Sequence, residues 1–396
     1  MIREQILQNF TSLIETPYVS VNFGGKTFGV TKTVNPVTQT RDIDFITQLS
    51  TKKMASGSVN TYVLDMSYVV KPGEDPNFVD KVISSDPSRK ILFSYGDLSQ
   101  PAFSYKKEQA IITNVKPTLD ISNHKLQYTI TATSSVALNY AIKRNYPATF
   151  AKPSDEIFKL LYLDTSNGLL QLFPGMSDRT EVETKGWIAT NDKAVQIENV
   201  QNASPLEYLR FLVAHMQSNT KSFYGLIIHD YDDIDNGQWF EVVNSALRPA
   251  DYLLEIDVGY PSNTRVFDFQ VVNDTSFALI TKYSGDLDTN RIININKDGS
   301  YETANDPSFI IRNGNINEAL KSWWKNMTSF PVNATLKTRG LIVPSILAET
   351  IRINVLFFGR KYNYSGLYMV TGQSDIISMS GYRTQLDLVR IAGDEI

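Results

Sequence analysis

Apolar positions along the chain change period several times, and each change marks an element. Ile2, Ile6, Leu7, Phe10, Leu13 and Ile14 recur at helical spacing and predict a short amphipathic helix at the N-terminus. From Tyr18 onward the pattern turns to strands. Leu64-Asp65-Met66-Ser67-Tyr68 alternates and is closed by the turn signal Lys71-Pro72-Gly73. A strand is predicted over Ala110–Val115, then a polar turn from Asp120 to Lys125. The next segment alternates without error: Leu126, Tyr128, Ile130 and Ala132 take one face, and Gln127, Thr129 and Thr131 the other. This is the pattern of an antiparallel strand with one face in a core and one in water.

Between about residues 146 and 249 the texture is mixed. Pro153-Ser154-Asp155-Glu156 opens an apolar run (Ile157, Leu160, Leu161) that predicts a helix. Ser204-Pro205-Leu206-Glu207 is a capping box with proline at the first helical position, and predicts a helix over Leu206–His215. Tyr224–His229 and Gln238–Val243 read as strands joined through Asn236-Gly237, a tight-turn pair.

The last section returns to strands. Phe267–Val271 alternates as Leu64–Tyr68 does, Ile316–Met327 is predicted helical, and Thr335–Val343 and Ile351–Phe357 are predicted strands. Ser365–Val370, a polar turn and Tyr382–Leu388 form a terminal hairpin. Each outer part thus starts with an alternating strand (64–68, 267–271) and ends with strand, polar turn, strand (110–132, 367–390). The expectation is a mainly β fold with an α+β insertion: two similar β-domains, 1–145 and 250–396, around a mixed domain, 146–249.

Composition narrows the function classes. The 38 basic and 42 acidic residues leave a formal charge of −4, which argues against a nucleic-acid binder, since phosphate neutralisation needs a clustered cationic surplus. No run of about 18 apolar residues predicts a membrane-spanning helix, and the opening Met1–Gln5 does not read as a signal peptide. Cysteine is absent, which removes disulfides, thiolate metal sites and cysteine nucleophiles and fits assembly in a reducing cytosol. The 20 Tyr and 20 Phe, with many Thr and Val, favour pleated structure.

Candidate chemistry is thin. His124, His215 and His229 fall in different predicted elements, with no H-x-x-x-H pair, and read as structural histidines. The acidic stretch His229–Gly237 fails as a calcium loop in both registers: counting from Asp230 puts Ile234 at the fifth position, and counting from Asp232 puts it at the third. It reads as a solvated hairpin turn. Phe23-Gly24-Gly25-Lys26 lacks the frame of a phosphate loop, and no G-x-S-x-G elbow occurs. Trp323-Trp324 would point about 100° apart on a helix, which favours packing over a carbohydrate platform. No cofactor, metal site or catalytic constellation is expected, and the chain is read as not an enzyme.

The C-terminal third carries a more specific order of motifs. Trp323-Trp324, Phe330-Pro331, Ala334-Thr335-Leu336 and Arg339-Gly340 precede the strand Ile351–Phe357. Lys361, Ser365-Gly366-Leu367-Tyr368, Ile376-Ile377-Ser378, Gly381-Tyr382-Arg383-Thr384 and Leu386-Asp387-Leu388-Val389-Arg390 follow. This order resembles the end of the central baseplate hub proteins of contractile-tailed phages, a tube-domain family shared with contractile injection systems. Leu64–Thr133 resembles the first tube domain of that family more loosely. On this resemblance Trp323, Gly340, Ser365, Gly366, Tyr368, Gly381, Tyr382, Thr384 and Arg390 are the motif residues, with a structural role.

The resemblance implies two tube-like antiparallel β-barrel domains flanking the middle domain, and a homotrimer forming a pseudo-sixfold ring in the virion tail baseplate, assembled in the host cytoplasm. It implies as partners the central spike protein, a tail tube or tube-initiator protein, the tape-measure protein and wedge proteins. DNA would pass through the channel without specific binding. Two other classes compete: a peripheral baseplate adhesin or carbohydrate-binding protein, and, behind it, a tail-associated hydrolase.

Overall fold

The structure is a computed structural model, and it describes residues 17–30, 46–97, 106–134, 144–146, 149–152, 195–198, 200–204, 206, 207, 210, 224–230, 239–244, 252–259, 265–273, 282–288, 291–296, 301–303, 310–311, 332–341, 345–378 and 381–393. The predicted N-terminal helix, the helices opening at Pro153 and at Ile316, His215, and Trp323-Trp324 lie outside these residues.

In chain order the first part holds β1 (Pro17–Phe23), β2 (Lys26–Val30), β3 (Ile46–Met54), β4 (Thr61–Val69), the helix α1 (Phe78–Ser85), β5 (Lys90–Asp97), β6 (Lys106–Asp120) and β7 (Lys125–Thr133). Short pieces follow: β8 (Arg144–Tyr146), β9 (Thr149–Lys152), β10 (Val195–Glu198), β11 (Val200–Ala203), β12 (Tyr224–His229) and β13 (Trp239–Asn244). The last part holds β14 (Leu254–Gly259), β15 (Val266–Asn273), β16 (Lys282–Asp288), β17 (Arg291–Asn296), β18 (Tyr301–Thr303), β19 (Ile310–Ile311), β20 (Val332–Arg339), β21 (Thr350–Phe357), β22 (Arg360–Lys361), β23 (Gly366–Ser378) and β24 (Gly381–Gly393). The mainly β expectation is met.

Fourteen of these strands form one sheet, in the order β15-β20-β24-β23-β3-β4-β7-β6-β5-β1-β2, with β14 and β22 attached through β21. Read in one direction, from β15 and again from β3, this sheet is one pattern used twice. The run β3-β4-β7-β6-β5-β1 has as its counterpart β15-β20-β24-β23-β21-β14, each strand in the same place along the chain. Irregularities repeat with it. The β3–β4 ladder slips between Ile46 and Gln48, and the β15–β20 ladder slips at the matching step between Val266 and Asp268. The long hairpins slip between Ile112 and Asn114 and between Val370 and Gly372. Just before each of those bulges the same backbone bond recurs, Ile112 N to Arg89 O at 2.9 Å and Val370 N to Glu349 O at 3.0 Å.

Several expectations need correction. The sequence pattern pairs Leu64–Tyr68 with Phe267–Val271, whereas the topology equates β4 with β20 and β3 with β15. One pair of the otherwise antiparallel sheet is parallel, β14 on β21, where its counterpart β1 on β5 is antiparallel. Strand β6 runs on to Asp120, and β20 starts earlier than predicted and ends at Arg339. The polar turn expected after Val370 is strand as far as Ser378. Gln373 and Asp375 are polar because they hold a buried bonding network, not because the chain turns.

Two cores sit beneath the sheet. One gathers Val19 to Ala132 and the other Leu253 to Leu388, but each borrows across the junction: Ile377 and Tyr382 enter the first, Ala55 and Ile227 the second. The alternation of β7 is kept, with Leu126, Tyr128, Ile130 and Ala132 buried. Helix α1 contributes Val79 and Val82 to the first core. From the middle section β12 docks on the first half, with Leu226 N bonding Ala55 O at 2.9 Å and Gly57 N bonding Leu226 O at 2.6 Å. The capping box is made in full: Ser204 N donates to Glu207 Oε2 at 2.7 Å, and Glu207 N to Ser204 Oγ at 3.2 Å.

Candidate functional site

The two repeats are welded along one ladder. β23 turns its distal half, Gly372–Ser378, onto β3, setting Gln373 opposite Lys53, Asp375 opposite Thr51 and Ile377 opposite Leu49. All six side chains point inward and all are at most 3% exposed. Charges buried this deeply are tolerated only when bonded. Lys53 forms an ion pair with Glu108 and donates to Tyr95 Oη at 3.2 Å, while Tyr95 Oη donates to Glu108 Oε1 at 3.0 Å.

Asp375 is the hub of the other polar cluster. Thr384 Oγ1 donates to Asp375 Oδ1 at 2.6 Å and Gln373 Nε2 to Asp375 Oδ2 at 2.8 Å. Gln373 Oε1 in turn accepts the Ile346 amide at 2.9 Å. Burial pushes the Asp375 carboxyl up to about 6, and the Thr384 bond, the Lys53 charge and the Gln373 bond pull against it. A second buried carboxylate ties the middle section to the first half. Asp230 accepts from Asn60 Nδ2 at 2.8 Å, Tyr62 Oη at 2.8 Å and Ser134 Oγ at 2.6 Å, and burial pushes it up to about 6. The phenols of Tyr62, Tyr95 and Tyr382 are raised well above their ordinary value, chiefly by burial.

The motif residues fall into two groups at opposite ends of the β23–β24 hairpin. At the junction, Gly340 N donates to Tyr382 O at 2.9 Å, Tyr382 Oη donates to Leu341 O at 3.0 Å, and the Leu341 amide donates to Thr384 Oγ1 at 2.9 Å. A Cβ on Gly340 would lie 2.2 Å from Tyr382 Cγ, so close approach, not positive φ, requires glycine there. Gly381 opens β24 at φ 138. At the other end, the Val355 amide donates to Ser365 Oγ at 2.9 Å, Arg390 Nη2 to Ser365 O at 2.7 Å and Tyr368 Oη to Tyr364 O at 2.6 Å. Gly366 has φ 151. Trp323 is outside the described residues.

What this arrangement does chemically is latch. Its acids and phenols are buried and spent on one another. Of the three histidines, His229 pairs with Glu241 at 2.8 Å, both largely buried, and His124 sits in the β6–β7 turn at φ 52. Among the described residues, no three His, Cys, Asp or Glu side chains come together as a metal site. The sequence reading missed Lys53, Glu108, Gln373 and Asp375. Each is a polar residue on the inward parity of its strand, β3, β6 or β23.

No family profile matches the chain, and no curated protein matches it. Solved structures do. A tail protein from Neisseria meningitidis MC58 aligns over 95% of this chain and 97% of its own, with a TM-score of 0.56 at 10% identity. The 43 kDa tail protein of prophage MuSo2 from Shewanella oneidensis aligns over 95% and 97%, with a TM-score of 0.54 at 11% identity. A chain of the Francisella PdpA-VgrG complex covers all 100% of this protein with 56% of its own length, at a TM-score of 0.51 and 11% identity. Along nearly its whole length, the chain has the fold of phage tail proteins.

Proposed function

We propose that the protein is the structural hub of a phage-type tail baseplate: a ring of three chains joining the tail tube to the central spike and enclosing the channel for tape-measure protein and DNA. The observation that carries this reading is the doubled sheet. Two equivalent six-strand units per chain let three chains present six similar units, which is how a sixfold tube can sit on a threefold spike. The full-length likeness to tail proteins supports the same reading, as do the hub-like motifs of the last third, now grouped around the β23–β24 hairpin. The division into 1–145, 146–249 and 250–396, the spike, tube-initiator, tape-measure and wedge partners, and assembly in the host cytoplasm belong to this proposal.

The role is structural and not enzymatic, since the buried acids serve as latches. Imaging of the assembled particle at subunit resolution tests it. Three copies on the tail axis are expected; off-axis density or six copies would sink the trimeric hub.

A second reading has one observation behind it. Phe357, Phe358 and Tyr362 are 59%, 88% and 45% exposed around the β21–β22 turn, a cluster of aromatics of the kind a peripheral adhesin uses. Glycan binding by the purified chain, lost on Phe358→Ala, would favour it.

A further inference from the structure

One atom of the buried junction cluster is left over. Glu108 Oε1 takes the Lys53 ammonium and the Tyr95 hydroxyl. Glu108 Oε2 is enclosed as well, yet it accepts no hydrogen bond among the described residues. A buried carboxylate kept only as half of an ion pair should have both oxygens bonded, because an unbonded one costs its desolvation in full.

The pair also sits where the fold does not require it. Lys53 lies on β3 and Glu108 on β6, with β4 and β7 between them in the sheet order. The two side chains therefore meet across the first core and not along a ladder. In the second unit, the aligned slips equate Lys53 with Asn273 and Glu108 with Gly366. The same strand order is built there with neither charge.

We propose that the folded chain joins Lys53 to Glu108 by an intramolecular isopeptide bond. Lys53 Nζ is the nucleophile and Glu108 Cδ the carbon attacked. One proton passes from the ammonium to the carboxylate, leaving an amine beside an acid, and the amine adds to Cδ. Tyr95 Oη donates to Glu108 Oε1 at 3.0 Å and accepts from Lys53 Nζ at 3.2 Å, so it holds both reactants. Its bond to Oε1 also stabilises the negative charge that grows there during the addition. The Cδ–Oε2 bond then breaks, and Oε2 leaves as water with the two protons that the ammonium has given up. Oε1 stays as the amide carbonyl and keeps its Tyr95 bond. Ammonium and carboxylate become amide and water, with no oxidant, reductant or co-reactant.

The oxygen without a partner is thus the oxygen that is lost. Burial gives the reaction its direction. In water, hydration favours the separated ions, but here the two side chains are 3% and 1% exposed and have already lost it. The event happens once in each chain and is not turnover. It ties β3 to β6 covalently, and it rests on this buried cluster and not on the hub reading.

Intact mass of the full chain tests it. Chains kept folded near neutral pH should fall about 18 Da below the sequence mass, one water. Trypsin acting on the denatured product should then fail to cut after Lys53, and fragmentation should find a branched peptide joining the Lys53 and Glu108 segments. Lys53→Arg keeps a cation opposite Glu108 and should restore the full mass. Glu108→Gln should lose about 17 Da, with ammonia leaving in place of water. Tyr95→Phe keeps the ring and the ion pair and should slow the mass loss at least about tenfold, which a tyrosine that only packs would not do. The bond forms after folding on an ion pair that stands without it, so unfolding of freshly folded chains reads the pair and mass reads the bond.

The proposal is overturned if wild-type chains keep their full mass after prolonged folded incubation, a result that needs no variant to fold. It is equally overturned if the missing water maps to another residue, such as a cyclised aspartate, or if Lys53→Arg shows the same loss.

Discussion

The two long hairpins share a bulge and a place in the same strand order, yet they distribute polarity in opposite ways. The β23–β24 hairpin presents Gln373, Asp375 and Ile377 to a neighbour strand and buries them all; the β6–β7 hairpin presents Val115, Pro117 and Leu119, with Leu119 63% exposed. Residue polarity does not explain this, because the more polar set is the more buried. The decisive difference is whether a second strand lies alongside. Where β3 does, a charge can be bonded on every side. Where, among the described residues, no strand of the same chain does, apolar groups remain at the edge.

Substitutions at equivalent positions sharpen that contrast. The largest effect is expected at the buried ion pair. Lys53→Met leaves Glu108 charged and buried, and should cost about 3–5 kcal/mol in denaturant unfolding, whereas Lys53→Met with Glu108→Leu should recover most of it. At the counterpart Asn273, which is exposed, replacement by Ala should stay within about 0.5 kcal/mol.

Next come the apolar counterparts. Ile377→Ala should cost about 2–5 kcal/mol, and Leu119→Ala under about 1 kcal/mol in the single chain because it is largely exposed already. Equal losses at both would break the comparison.

The buried carboxylates predict a pH dependence, from Asp375 at the β23–β3 junction and from Asp230 where the middle section meets the first half. Asp375 and Asp230 each titrate near about 6 when folded, against an ordinary 3.8. Their carboxyls hold protons in the folded chain that the unfolded chain has released, so stability falls as pH rises from about 4 through about 6. The loss is on the order of 2–3 kcal/mol per carboxylate. Urea unfolding between pH 4.5 and 7.5 should show this slope, and Asp375→Asn should flatten it. A slope that survives both Asp375→Asn and Asp230→Asn would refute the assignment.

The smallest contrast concerns the hairpin turns. Gly381 sits at φ 138 with open space around its Cα, so Gly381→Ala tests backbone conformation alone and should cost about 1–2 kcal/mol. His124, at φ 52, already carries a side chain in the left-handed region. There His124→Gly should change thermal stability by no more than about 1 kcal/mol, and in the stabilising direction.

Alternation located β4, β7 and much of β15, because a strand with one face in a core must repeat every second residue, and apolar runs between polar turns located β21 and parts of β6 and β24. The capping box at Ser204 was equally legible, being a purely local bonding pattern. The junction was not. Gln373 and Asp375 read as a turn because a polar run between two apolar strands normally is one. Only the approach of β3, more than 300 residues earlier in the chain and bonding Asp375 through Thr51 Oγ1 at 3.5 Å, makes them interior groups.

The sequence by itself determined the mainly β class and the inward face of its alternating strands, both consequences of a residue's own backbone and its nearest neighbours. It hinted at a repeat but matched the wrong strands, because alternation says which face is buried and nothing about which strand lies beside which. Strand order, the weld of β23 onto β3 and the burial of Lys53, Glu108 and Asp375 were decided by the tertiary structure. Those depend on hydrogen-bonded partners far away along the chain, and a buried charge can be told from a solvated one only once its partners are in place.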